Sequence, residues 1–268
     1  MNTEFVIRKY QNDQNPIAHM HEKFEVFISL SDRGSLFVKE KGYPLSYGAI
    51  FILQPFEIHR CFSHGNVEHE RYILQFPKEV LERLSTKNTD LIGIFSHAPV
   101  MIVASAAQME ELLEILQKLH GESDGSFGED VMRNLTFELF LLKIAQLAYD
   151  SKDTLPVNGE EEEGSSQIDE ILQYIHENYA ENISLDSVAK HFYISKSRLC
   201  KIFKDHTGFS VGDYIITYRI RMACVLLRKG IHVKEVGERV GFRTSTHFIR
   251  IFKQRTGYSP GKFAKGKS

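Results

Sequence analysis

The sequence predicts an α+β protein of two domains: a small β structure with two helices behind it, then an all-α domain of seven helices. Three observations carry that prediction. Short apolar runs alternate with turn residues over the first third of the chain, as antiparallel strands do. A stretch rich in Gly, Ser and acid, "SKDTLPVNGEEEEGSSQ" at residues 151–167, then divides the sequence. Beyond it one pattern occurs twice: apolar, two residues, Phe-Lys, two residues, Thr-Gly-aromatic-Ser. It stands in "YISKSRLCKIFKDHTGFS" (193–210) and again within "GFRTSTHFIRIFKQRTGYSP" (241–260).

In order along the chain, "FEVFISL", "GSLFVKE", "GAIFILQP" and "ERYILQF" read as strands between the turn signals "SDRG", "KGYP" and "HGN". "SAAQMEELLEILQKLHG" has helical spacing, with Ser105 as N-cap and Gly121 as stop, and "EDVMRNLTFELFLLKIAQLAYD" follows as the second helix. That helix carries Met132, Leu135, Phe137, Leu139, Phe140, Leu142 and Leu147, apolar on more than one side. Either both sides pack within one monomer, or one side meets a partner subunit. Residues 1–150 form the first domain and 151–166 a flexible acidic linker, in which Glu160 to Glu163 keep the chain extended.

From residue 167 the pattern is helical. "SQIDEILQYIHENYA" offers Ser166 as cap and one buried stripe at Ile168, Ile171, Leu172 and Ile175. "SLDSVAKHF", "SKSRLCKIFKDHTG", the long "SVGDYIITYRIRMACVLLRKG", "HVKEVGERVG" and "TSTHFIRIFKQRTG" follow.

Bulk properties narrow the function. A chain of 268 residues can bury two cores of ordinary size. No run of eighteen uncharged apolar residues is present, and the most apolar stretch, "FELFLLKIAQLA", is broken by Glu138, Lys143 and Gln146, so no membrane partner is expected. The N-terminus lacks the apolar core of a signal peptide, which predicts a cytoplasmic protein. Cys61, Cys200 and Cys224 are scattered and odd in number, fitting a reducing compartment and no disulfide framework. Net charge is −2, but residues 1–166 hold 15 Lys+Arg against 26 Asp+Glu, while residues 167–268 hold 18 against 9. The basic half (+9) is suited to a polyanion.

Within that half, Val188, Ala189 and Ile194 match Val236, Gly237 and Phe242 at an offset of 48, and Leu199, Phe203, Lys204, Thr207 and Gly208 match Phe248, Phe252, Lys253, Thr256 and Gly257 at 49. One extra residue in the second turn absorbs the difference. A short helix, a tight turn and a capped second helix ending in glycine make a helix-turn-helix, whose second helix enters the major groove of double-stranded DNA. The competing explanation is a helical array that binds no nucleic acid; two copies only, the positive charge and the basic or hydroxyl residues on both second helices argue for DNA.

Residues 168–264 resemble the DNA-binding domain of the AraC/XylS family of bacterial transcription regulators, on the strength of "RIRMACVLL", "VGERVGFRTSTHFIRIFKQRTGYSP" and its weaker earlier copy. The resemblance implies base-facing roles for Ser197, Cys200 and Lys201 in the first unit and for Ser245, Thr246, Ile249 and Arg250 in the second. Lys201 and Arg250 can donate to guanine O6 and N7, and Ile249 can touch a thymine methyl. Lys196, Arg198, Lys204 and Lys253 are placed for phosphate.

In the acidic half, "HMHEKFE" and "GAIFILQPFEIH" give HxHxxxE followed by PxxxH, which resembles the two motifs of the cupin β-barrel. This half is similar to the effector-binding domain common in the same family. The resemblance implies a barrel that holds a small molecule, often a sugar, with His19, His21, Glu25, Tyr47 and His59 as its polar contacts. Metal-binding cupins use three histidines and a carboxylate here, so His19, His21, Glu25 and His59 are also the candidate metal ligands. Two departures argue against a metal: the Pro55–His59 segment is one residue short, and the glycine expected after Glu25 arrives late, at Gly34. A purely structural role for the histidines stays open. No cofactor is expected.

The whole is thus expected to be an effector-responsive activator without catalytic residues, a homodimer that also contacts RNA polymerase. The alternatives are a metal-dependent cupin enzyme fused to a DNA-binding tail, and a DNA-binding regulator that needs no ligand.

Overall fold

The computed structural model describes residues 5–11, 21–62, 69–121, 125–151 and 165–266. Eight strands among them form two antiparallel sheets: β1 (Val6–Tyr10), β2 (Phe24–Ser29), β3 (Ser35–Val38), β4 (Lys41–Pro44), β5 (Ala49–Leu53), β6 (His59–Phe62), β7 (Arg71–Phe76) and β8 (Met101–Val103). The larger sheet runs β1-β7-β2-β5-β8 and the smaller β4-β3-β6. They face each other as two halves of a flattened barrel. Phe27, Phe51 and Ile73 of the large sheet and Leu36 and Val38 of the small one form the apolar layer between them.

The large sheet is also covered on its outer face. Val26, Ile28, Ile50, Ile52, Leu74 and Phe76 pack there with helices α1 (Lys78–Leu84), α2 (Leu91–Ser96), α3 (Ala106–His120) and α4 (Glu129–Asp150). Burial on both faces is why "AIFIL" is continuously apolar rather than alternating, and why every residue of "FEVFIS" is buried, the polar Glu25 and Ser29 included. Ser105 caps α3 in a full capping box with Gln108, and Gly121 ends it, as the sequence predicts.

Two expectations need correction. Helices α1 and α2 and strand β8 stand between β7 and the two expected helices, α3 and α4, and at seven, six and three residues they are too short for a periodic signal. "KGYP" is strand β4 and not a turn. The turn is Lys39–Glu40, whose φ values of 48° and 69° suit a two-residue hairpin of type I′. Glycine and proline are tolerated in β4 because it is an edge strand.

Most of the expected linker, residues 152–164, lies outside the described residues; beyond it come α5 (Ser165–Asn178), α6 (Leu185–His191), α7 (Lys196–Thr207), α8 (Val211–Arg228), α9 (Val233–Arg239), α10 (Ser245–Thr256) and α11 (Pro260–Ala264). Helix α5 begins one residue ahead of Ser166, the serine expected to cap it. Helix α11 supplies the seventh, with Ser259 as cap and Pro260 at its first position. Ile168, Ile171, Leu172 and Ile175 are all buried, as their spacing demands.

The repeat holds down to single hydrogen bonds. In the first turn Tyr193 N–H donates to Lys190 O and Ile194 N–H to Ala189 O; in the second Gly241 donates to Glu238 O and Phe242 to Gly237 O. Tyr193 and Gly241 are both left-handed, at φ 53° and 85°. Gly208 and Gly257 end α7 and α10 in the same conformation. The threonine before each glycine donates to the carbonyl four residues back, Phe203 or Phe252. Its hydroxyl also accepts the N–H of the aromatic residue that follows, Phe209 or Tyr258. Thr-Gly-aromatic is therefore a helix stop, and the serine after it caps the next helix through Asp213 N or Lys262 N. Ala189 and Gly237 are the close-approach positions: a Cβ on Gly237 would lie 2.9 Å from the Phe248 ring.

The small sheet turns its outer face to the helical domain. Phe37, fully buried, meets Phe209 and Tyr214 at ring separations of 5.6 and 6.0 Å. Arg60 lies over Phe209, and Gly208 approaches Phe62 so closely that a Cβ would stand 2.8 Å from its ring. Full burial of Phe37 alone contributes roughly 1.5–3 kcal/mol.

Candidate effector site and nucleic-acid interface

Helices α7 and α10 each bury one face and expose the other. Leu199 and Phe203 of α7, and Phe248, Ile251 and Phe252 of α10, enter the cores of their units. Their opposite faces place Ser197, Cys200 and Lys201, and Ser245, Thr246, Ile249 and Arg250, in the open. Lys196, Arg198, Lys204 and Lys253 are exposed as well, with Lys196 paired to exposed Asp186 of α6. Ile249 is 43% exposed, an apolar side chain on an otherwise polar face. Arg255 of α10 pairs with Asp213 of α8, tying the second unit to the linking helix. The barrel docks elsewhere, so both faces stay uncovered.

Between the sheets, Glu25 of β2 and His59 of β6 point inward from opposite sides, and His21 reaches them from the extended segment before β2. Glu25 Oε2 accepts from Gln75 Nε2 at 2.7 Å and lies 2.8 Å from His21 Nε2; its Oε1 is 3.7 Å from His59 Nε2. Both histidines spend Nδ1–H on a backbone carbonyl, His21 on Lys23 O and His59 on Glu57 O, each at 2.9 Å. Both Nε2 atoms therefore face the one carboxylate. Burial raises the Glu25 carboxyl, but His59, His21 and Gln75 outweigh it and hold the group at about 2. Side-chain donors of His21, Glu25 and His59 lie within 4.8 Å of one another, close enough to share a divalent cation or the hydroxyls of one small molecule. His19 falls outside the described residues.

Tyr47 does not join this cluster. It is 46% exposed, and its N–H donates to Asp32, because the β2–β5 register sets residue 47 beside the other end of β2. That end holds a polar group the sequence reading missed. Arg71 Nη1 lies 3.2 Å from His69 Nδ1, His69 Nε2 lies 3.3 Å from Ser29 Oγ, and Ser29 donates to Ser31 O. Arg71, His69 and Ser29 are all buried. In "RYILQF" Arg71, Ile73 and Gln75 share one strand face, a pattern that marks Arg71 as inward only once that face is known to be the inner one.

An open cleft of about 670 Å³ lies away from both groups, lined by Asp90, His97, Leu142, Gln146 and Tyr149 among others. It continues the exposed stripe of α4. Among the described residues, no helix is long and apolar enough to cross a membrane.

A family model described as an AraC-like ligand binding domain matches residues 3–136, half of the chain, and one described as a helix-turn-helix domain matches residues 188–266. The chain is 24% identical over 259 residues (94% of its length and 80% of the relative's) to the uncharacterized HTH-type transcriptional regulator YfiF of Bacillus subtilis. It is 27% identical over 248 residues (89% and 83%) to the arabinose operon regulatory protein of Salmonella typhimurium. To the Msm operon regulatory protein of Streptococcus mutans it is 23% identical over 251 residues (92% and 85%). With a two-sheet ligand-binding domain joined to two capped helix-turn-helix units, the chain belongs to the AraC family: it is a DNA-binding transcription regulator with a ligand-binding domain, and not an enzyme.

Proposed function

We propose that the chain is a cytoplasmic, effector-responsive activator of carbohydrate or related metabolic genes, working as a homodimer that also contacts RNA polymerase. The carrying observation is the pair of second helices in the helix-turn-helix units, each buried on its apolar side and open on a face of basic and hydroxyl residues. In this reading Ser197, Cys200, Lys201, Ser245, Thr246, Ile249 and Arg250 face base edges, and Lys196, Arg198, Lys204 and Lys253 take phosphates. The effector sits at His21, Glu25 and His59. A carboxylate that accepts, a Gln75 amide that donates and two imidazoles suit the hydroxyls of a sugar. Two full-length relatives with operon-regulator names, one of them for an arabinose operon, favour a metabolic target.

Homodimerisation is supported by α4, where Met132, Leu135, Leu139 and Leu142 recur at three- and four-residue steps, with Tyr149 two turns on, and all are exposed. The test is binding of duplexes enriched from random sequence, across a salt series and a panel of sugars. Affinity should fall steeply with salt through counterion release, and one sugar should shift affinity and melting temperature. Affinity independent of salt would defeat the DNA reading, and indifference to every metabolite would defeat the effector reading.

A further inference from the structure

The segment 54–59, from the end of β5 to the first residue of β6, touches three places at once. His59 belongs to the inner cluster, Ile58 enters the core of the first helix-turn-helix unit, and Phe56 enters the core of the second. Phe56 is a bulky non-glycine residue held at φ 63°, in the left-handed region that such residues rarely adopt. Its ring packs against Phe263 of α11 at 5.3 Å, edge to face, and the Arg228 guanidinium of α8 lies 4.5 Å above it. Turn bonds between Gln54 and Glu57 shape this loop, and two further bonds tie it to the inner cluster. Phe56 N–H donates to His21 O at 2.8 Å, and Glu57 O accepts from His59 Nδ1 at 2.9 Å. Each histidine beside Glu25 is thus also a tether on the backbone of residue 56 or 57. A ligand that takes up the carboxylate and turns the His59 ring pulls on the backbone at Glu57, next to the residue wedged beneath the second DNA-reading unit. Besides Ile58, the first unit is also held by Phe37, Arg60 and Phe62 of the small sheet, contacts the second unit lacks.

We infer that Phe56 is the positioning residue through which the His21–Glu25–His59 site sets the second helix-turn-helix unit relative to the first. The inference rests on the effector reading of that site and concerns its regulation. Because both reading faces are uncovered, control works by the geometry of two bound units and not by masking either.

The test is a double-mutant cycle on the full chain, with a duplex enriched from random sequence that carries both half-sites and a second duplex that carries only the first unit's half-site. Glu25→Gln removes the charge that organises both histidines. It should change the dissociation constant for the paired duplex by about fivefold or more and leave that for the single half-site unchanged. In a Phe56→Ala background the change should vanish. Phe56→Leu, which keeps the core filled without the stacked ring, serves if the alanine variant unfolds, and should at least halve the effect. An equal Glu25→Gln effect with and without the ring, or no effect in the wild type, overturns the coupling alone. If the wild-type chain enriches no sequence, the DNA-reading assignment fails first and the coupling with it.

Discussion

Glu25 is wholly buried and ionised, a combination that depends on the charges and donors around it outweighing the cost of burial. A carboxyl lowered on folding adds stability above its ordinary value of 4.5 and loses it as pH falls towards 2. Wild type should therefore exceed Glu25→Gln in urea-unfolding free energy at pH 6, by a margin that shrinks by on the order of 3 kcal/mol between pH 4.5 and 2. A margin constant with pH would contradict the ionised assignment. On the DNA face, Lys201→Ala and Arg250→Ala should each cost about 1–3 kcal/mol on the preferred duplex and relax selectivity at one half-site. Lys253→Ala should weaken all sequences alike and lower the salt slope by about one. Base-selection assays across a salt series separate these outcomes. The histidine and glutamate spacing was legible because a few tightly spaced polar groups survive folding as neighbours. Arg71 was not, since an arginine in an alternating strand looks like a solvated one until its Ile73 and Gln75 neighbours are known to face inward.

Elements were legible in proportion to their length and caps. Helices α3, α7, α8 and α10 carry side-chain caps and one buried face, and their limits follow from Ser105, Ser195, Ser210 and Thr244. The β3–β4 hairpin was hidden because Lys39 and Glu40 adopt positive φ without the Asn-Gly signature of such turns. The helix crossing in the second unit makes a direct prediction. Gly237→Ala places a methyl 2.9 Å from Phe248 and should destabilise the domain by about 1–3 kcal/mol. Gly212→Ala, in the first turn of α8 with nothing within 4 Å, should be neutral or stabilise by up to about 1 kcal/mol. Thermal unfolding of the two variants checks the pair, and equal effects would show that the close approach is not a constraint. On α4, Leu135→Asp with Leu139→Asp should convert a dimer to a monomer in sedimentation velocity without changing the melting of the isolated protomer, since both side chains are already exposed.

At the scale of the molecule, the charge division and the repeat placed two functions on two halves before any geometry was known. What the sequence could not disclose is that the halves are pressed together. Phe37, Arg60 and Phe62 are ordinary strand residues until Phe209 and Gly208 are seen against them, and contacts between residues so far apart in sequence leave no local pattern. The docking leaves the two reading faces open on one helical domain, and in the function proposed above both contact base edges. Sequencing of duplexes retained by the full-length chain from a random pool, for wild type, Lys201→Ala and Arg250→Ala, tests it most directly. Two half-sites about ten base pairs apart should emerge for the wild type, each variant relaxing a different one. A single half-site relaxed by both variants, or no enriched sequence, would contradict it.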